Sequence, residues 1–198
     1  MVVYWGNAHS SSDYIYRGDE QAEVFPFGSY SESKYLCERL VAVYRKNYSL
    51  DITVVRPCFL YGLEMKPQWL IPKLIHKALN NEEIVTHKYN NGLPLFELLY
   101  IDDFCTALSF LVKSKDSPAC VNIGSHNHIS TLDLASMIIK LTHSTSRKEL
   151  LHISDNVYNV VSTAGYIDKI GWKPNVELTD GLQLCIKHHL SHPSCHEL

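Results

Sequence analysis

This sequence predicts an α/β fold built on a mostly parallel sheet, and three observations carry that expectation. Short β-type runs alternate along the chain with segments whose apolar residues recur at helical spacing, the order that lays helices against a parallel sheet. Residues 52–55 (Ile-Thr-Val-Val) are an unbroken run of β-branched side chains, suited to a strand covered on both faces. Between residues 30 and 47, Leu36, Leu40, Val43 and Tyr44 fall into one apolar stripe, as on an amphipathic helix.

The elements follow in order. Residues 2–5 read as a short strand, then Gly6-Asn-Ala-His9 leads into Ser10, Ser11 and Ser12. The helix at 30–47 precedes the strand at 52–55, which ends at Arg56-Pro57. Residues 68–79 form a second helix with Leu70, Leu74 and Ala78 on one side, and residues 84–86 and 97–100 are short strands. Residues 102–113 form a third helix, striped by Cys105, Leu108 and Val112. Asp102 and Asp103 sit at its positive end, placed to cap N–H groups and complement the dipole. Residues 120–123 are a further strand, and Ser130-Thr-Leu-Asp133 resembles a capping box ahead of Leu134, Ile138 and Leu141. A short helix at 165–170 stops at Gly171-Trp-Lys-Pro174, and Thr179 caps a last helix through Leu182, Cys185 and Ile186. Gly62, Pro67 and Pro72 cluster near residue 63, so a boundary is expected there between residues 1–63 and 64–198.

Composition narrows the function. The 198 residues are 45% hydrophobic and 20% charged, ordinary for a soluble globular protein. A net charge of −3 offers no basic excess for a phosphate backbone, so nucleic acid is not an expected partner. No run approaches the ~18 apolar residues of a membrane span, and the first six residues lack the basic and apolar segments of a signal peptide. The six cysteines contain no Cys-x-x-Cys pair, which fits a reduced, cytoplasmic chain better than a disulfide framework.

The sharpest chemical feature is Ser12 followed by Tyr30-Ser-Glu-Ser-Lys34. Residues four apart on a helix have Cβ atoms about 5–6 Å apart, so an ammonium would lie beside a phenol. A nearby cation favours phenolate, and such a phenol can exchange protons with a hydroxyl or carbonyl while a serine hydroxyl holds the same oxygen. The spacing also occurs on helices where the tyrosine is half-exposed and the lysine solvated; taken alone, the pair leaves both readings open.

The surrounding motifs add context. Ser10-Ser11-Ser12 with Tyr16, Pro26 with Tyr30, Ser33 and Lys34, and Arg56-Pro57 with Tyr61-Gly62 come in sequence, followed by Tyr100-Ile-Asp-Asp103, Val121-Asn-Ile-Gly124 and Gly171-Trp-Lys-Pro174. In order and rough spacing they resemble the extended short-chain dehydrogenase/reductase family of the NAD-dependent epimerase/dehydratase type, from Ser10 to about residue 190. That resemblance implies a partial Rossmann-like doubly wound parallel sheet, its N-terminal strands missing, followed by a small C-terminal substrate-binding α/β region with some segments returning to the sheet. It implies NAD or NADP as cofactor, a nucleotide-sugar or related sugar as substrate, and a homodimer formed through the helix bearing Tyr-x-x-x-Lys. Tyr30 would be the general acid/base, Lys34 would lower its pKa and bond the nicotinamide ribose, and Ser12 would bind the reacting oxygen. Cys58 would approach the nicotinamide, largely through its backbone. Phe59 stands where the family often has an Asn contacting the nucleotide-sugar, and Phe96 where it often has an Arg gripping the diphosphate; a ring in place of a bidentate cation removes that grip.

Dinucleotide binding also needs a Gly-rich turn at a helix N-terminus. The nine glycines never form Gly-x-Gly-x-x-Gly, so the first βαβ units are expected to lie outside this chain, either in a longer protein or lost by truncation. A sheet lacking its first strands would expose an apolar edge and self-associate; a non-catalytic remnant acting as a self-association or binding module is the alternative reading. His188, His189, His192, Cys195 and His196 are zinc-ligand types, but Pro193 breaks the helix that His192 and His196 would need, so a solvated terminus without metal is expected. Trp69 and Trp172 read as packing residues and Glu82-Glu83 as a solvated turn. Calorimetry with NAD and NADP is expected to show no tight binding by these 198 residues; micromolar affinity would overturn that expectation.

Overall fold

A computed structural model describes residues 15–22, 24, 26, 28–115, 118–157, 159–162 and 165–192. The strand expected at 2–5 lies outside the described residues.

Strand β1 (Ile15–Gly18) precedes the long helix α1 (Gly28–Tyr48), and β2 (Val54–Pro57) leads almost directly into β3 (Phe59–Tyr61). Helix α2 (Leu70–Leu79), β4 (Ile84–Tyr89), β5 (Leu95–Tyr100) and α3 (Ile101–Lys113) follow. Then come β6 (Cys120–Ile123), β7 (His128–Ser130), α4 (Thr131–Leu141), β8 (Lys148–Ile153) and β9 (Asn159–Ser162). The short α5 (Tyr166–Lys169) and α6 (Leu178–Ser191) complete the order.

The pairings of β1 with β9, β2 with β6, β3 with β5 and β4 with β8 are parallel, and only β5 with β7 is antiparallel among the described strands. The α/β class with parallel pairing is therefore as the alternation predicts. The strand expected at 52–55 is shifted: it spans Val54–Pro57, with Val54 opposite Cys120 and Pro57 opposite Ile123. Its ladder continues through a bond from Cys58 N to the Ile123 carbonyl at 2.8 Å. Strands β1, β3, β7, β8 and β9 were not expected. Three or four residues carry little periodicity, and the six of β8 are largely exposed without alternation.

Strand β5 separates two hydrophobic cores. Alternate side chains of a strand point to opposite faces. Leu98 and Tyr100 join a cluster with Ile71, Ile75, Leu134 and Leu182. Leu99 joins a second cluster with Val121, Ile123, Ile167 and Trp172. Trp172 is buried there and donates from Nε1 to Thr106 Oγ1 at 3.1 Å. Trp69, expected to pack, is instead half-exposed.

Carboxylates bind the connections. Asp103 does not cap its own helix as expected. It is 2% exposed and accepts from the backbone N–H of Asn175 at 3.0 Å and Val176 at 2.9 Å, tying α3 to the approach of α6. Glu20 Oε1 accepts from the N–H groups of Asn122 and Tyr166, both at 3.0 Å. A Cβ at residue 165 would lie 2.1 Å from that oxygen, so a side chain there would have to displace the Glu20 carboxylate from its two N–H partners. At α4, Ser130 Oγ accepts from Asp133 N at 3.0 Å and donates to Asp133 Oδ2 at 2.6 Å. The hydroxyl thus makes both contacts, where a capping box would use the serine backbone for the second. Thr179 lies inside α6, and Glu177 holds the N-cap position.

Gly181 of α6 packs directly on the buried Tyr61, whose hydroxyl would sit 2.1 Å from an added Cβ and whose ring carbon 2.8 Å away. In an open helix Gly→Ala gains about 1 kcal/mol. Here Gly181→Ala is expected to destabilise by about 1–3 kcal/mol because the ring has no room to retreat, read from the midpoint of urea unfolding.

Candidate active site

Tyr30 and Lys34 lie in the opening turns of α1, where the helical step brings them together. Lys34 Nζ lies 5.5 Å from the Tyr30 ring centroid, within cation–π range. Ser33 Oγ donates to the Tyr30 carbonyl at 2.7 Å. Tyr30 is 58% exposed and Lys34 is half-buried, so the phenol is open to a ligand while the ammonium stem rests on the protein. Ser12 lies outside the described residues.

One further turn along the same face is Glu38, which the sequence reading did not single out. It makes a two-pronged bond to Arg56 of β2, with Arg56 Nε to Glu38 Oε1 at 2.9 Å and Nη2 to Oε2 at 2.5 Å. The two side chains are 7% and 9% exposed. Burial disfavours the guanidinium charge. The Glu38 hydrogen bond, with Cys120, Glu38 and Glu20 nearby, outweighs it, and the Arg56 pKa is pushed up. The Tyr30, Lys34, Glu38 spacing was the available signal, because two steps of four keep a helical face.

Beyond Arg56 the chain turns through Cys58 into Phe59. Burial first, and Glu97 second, push the Cys58 thiol well above its ordinary value, so the sulfur is a neutral thiol and not a nucleophilic thiolate. Phe59 and Phe96, on neighbouring strands β3 and β5, meet edge to face with ring centroids 5.4 Å apart. The structure thus brings together the two residues marked as departures on the substrate side. Next to Phe96, the buried Glu97 accepts from His126 N at 2.8 Å and lies 3.8 Å from His128 Nε2. The sequence reading missed Glu97, since one acidic residue in an apolar strand carries no periodic signal.

Three clefts are lined by described residues. A small one of about 170 Å³ includes Leu98, Ser125, Asn127 and His128. One of about 330 Å³ between α2 and β4 includes Lys73, Lys77, Thr86, His87 and Thr131. The third, about 540 Å³, is walled by Tyr61, Leu63, Met65, Trp69 and Tyr100, which accounts for the exposure of Trp69. No group of three or more His, Cys, Asp or Glu suited to a metal occurs among the described residues. Helix α6 runs on to Ser191, where His188 stacks on His192 at 4.4 Å and reaches Glu64 at 3.3 Å, while His189 is buried against His76. Cys195 and His196 lie outside the described residues. Among the described residues no helix is long and apolar enough to cross a membrane.

A family model for the NAD dependent epimerase/dehydratase family matches residues 5–124, spanning the Tyr-x-x-x-Lys helix, β2 and β6. The chain belongs to this family. Among curated members, the low-salt glycan biosynthesis protein Agl12 of Haloferax volcanii is 28% identical over 176 residues, covering 86% of this chain and 55% of the relative. The dTDP-D-glucose 4,6-dehydratase of Mus musculus is 28% identical over 191 residues, covering 89% and 53%. The chain thus spans about half the length of these relatives. Solved folds agree. A dTDP-glucose 4,6-dehydratase from Bacillus anthracis in complex with NAD superposes with a TM-score of 0.77 at 22% identity, over 98% of this chain and 59% of the other. A Thermus thermophilus UDP-glucose 4-epimerase complexed with NAD gives 0.78 at 16%, over 94% and 60%. The fold is accordingly a partial Rossmann-like α/β fold of the epimerase/dehydratase type.

The buried thiols carry a pH consequence. Cys58 is raised furthest, Cys120 is pushed up to about 12 and Cys185 to about 11, in each case first by burial. Unfolded thiols ionise near the ordinary value of 9.0, so above it the unfolded chain holds fewer protons than the folded one. Stability contributed by the neutral thiols is complete below that value and lost as pH rises toward the folded values. Urea unfolding followed from neutral to about pH 10 is expected to show falling stability above about pH 9, with alkylation reaching the exposed Cys37 and Cys105 before Cys58.

Proposed function

We propose that this chain forms the proton-transfer and substrate-binding half of an NAD(P)-dependent nucleotide-sugar epimerase, dehydratase or reductase. The observation that carries the reading is the Lys34 ammonium 5.5 Å from the Tyr30 ring centroid, inside the segment that matches the family model. Relatives named as dTDP-glucose 4,6-dehydratases and UDP-glucose 4-epimerases supply the substrate class. Residues 1–63 would belong to the dinucleotide-binding part and residues 64–198 mainly to substrate binding, with a cytoplasmic homodimer as the working assembly.

In this reading Tyr30 takes a proton from the sugar hydroxyl and returns it later. Lys34 stabilises the phenolate that is present before the first transfer and restored by the second, and keeps ammonium donors for the ribose hydroxyls of the cofactor. The exposed phenol and the half-buried ammonium, both donors to hydroxyl oxygens, fit such a group. When bound, the nicotinamide supplies the acceptor for a hydride from the sugar carbon. Ser12 holds the reacting oxygen, and Cys58 offers backbone atoms while its thiol stays neutral. Phe59 and Phe96 form an apolar wall against the sugar, and the cations for an anionic substrate come from Lys73 and Lys77 in the α2–β4 cleft.

A second reading, a self-association module without catalysis, is favoured by one observation. Leu36, Leu40, Val43, Tyr44 and Tyr48 form an exposed apolar stripe on α1. The two readings part on one variant. In a protein completed by a dinucleotide-binding half, Tyr30→Phe is expected to lower kcat by about 10²-fold or more with a smaller change in KM. Unchanged turnover would remove Tyr30 from the mechanism.

A further inference from the structure

We infer that the free edge of β8 pairs with the same edge of a second copy of this chain, antiparallel, about a two-fold axis at Leu151. Strand β8 pairs only with β4 among the described strands, and Leu150 and Leu151 in it are 44% and 40% exposed. The register with β4 decides which backbone groups are free. The Ile84 N–H donates to the Arg147 carbonyl at 2.9 Å, with Ile84 opposite Lys148. Along a parallel ladder, alternate residues turn both backbone groups to one neighbour. Arg147, Glu149, Leu151 and Ile153 therefore face β4, while Lys148, Leu150 and His152 hold their N–H and C=O groups toward the open edge.

A second copy suits that edge because β8 is self-complementary. A two-fold axis normal to the sheet keeps every side chain on its own face, and side chains alternate between faces. Odd-numbered residues thus meet odd-numbered ones, and even meet even. With Leu151 opposite its own copy, Leu150 lies opposite His152, and these two exchange both N–H···O bonds. Glu149 lies opposite Ile153, and Arg147 opposite Asp155 at both ends. Arg147 and Asp155 are exposed. Asp155 stands in the bend that ends β8, where its N–H donates to the Ile153 carbonyl at 2.8 Å, and the long arginine side chain bridges the offset. Each end thus gains an attractive charge pair. Moving the axis by one residue removes it. Centred on His152, the pairing sets Glu149 against Asp155, two like charges. Centred on Leu150, it sets Lys148 against His152 and the Glu149 carboxylate against Leu151. Both free edges are used, so the pairing closes at two copies. It involves neither the apolar stripe of α1 nor Tyr30.

The test is sedimentation velocity of the 198-residue chain at concentrations up to about 300 µM, since a contact this small is weak. The unaltered chain is expected to associate reversibly. Leu151→Lys sets two ammonium groups against each other at the axis and is expected to remove this step. Arg147→Asp sets carboxylates against each other at both ends and is expected to weaken it about tenfold. Adding Asp155→Arg reverses both charge pairs and is expected to restore it. All three positions are exposed, and unchanged thermal melting shows that each variant folds. Association through α1 responds instead to Leu40→Arg, at a residue 57% exposed, and to none of the others. A chain that stays monomeric throughout leaves the edge to a different extended chain, and association indifferent to Leu151→Lys runs through another surface; either result overturns the inference. Loss of association in Leu151→Lys without rescue by the charge reversal overturns the register, and the two-fold pairing with it.

Discussion

One strand with a different core on each face holds the molecule together. Because β5 sends Leu98 and Tyr100 into one cluster and Leu99 into the other, neither half can shift without disturbing the other. Full burial of side chains of this size stabilises by about 1.5–3 kcal/mol each. The strand also carries Phe96 and Glu97 to the edge where β3 delivers Phe59. The Phe59–Phe96 pair thus stands on a doubly covered strand, a rigid support for groups that need fixed geometry.

The polar contacts act differently from the cores. An intact buried ion pair adds little net stability, because desolvation offsets the Coulomb gain, yet removing one partner costs about 3–5 kcal/mol. Glu38–Arg56 is thus a contact of geometry more than of strength. Asp103 and Glu20 follow the same logic, each spending one carboxylate on two backbone N–H groups from distant segments. Such bonds specify which loops meet, while the apolar clusters supply most of the driving force.

Much of this was legible in the residues. The stripe on α1, the β-branched run into β2 and the Tyr30–Lys34 step are local patterns, and the structure keeps them because a helix or a buried strand writes its period into sequence. The tertiary uses of polar residues were not legible. Asp103 looks like a helix-start acid in any sequence, and its true partners are over 70 residues away. Glu97 and Glu20 carry no period at all. Trp69 has the composition of a core residue and lines an open cleft instead. Strands of three or four residues, such as β3 and β7, form because neighbours template them.

The outer strand β8 has one partner, β4, among the described strands, and its residues are almost all exposed. A strand in that position offers its outer row of amides and carbonyls to any extended chain that meets it. Leu150 and Leu151 make that offer adhesive, while Lys148, Glu149 and His152 surround them with polar and charged neighbours. These flanking groups act as gatekeepers against cross-β stacking. How folded copies of the protein meet thus turns on a few side chains of one strand.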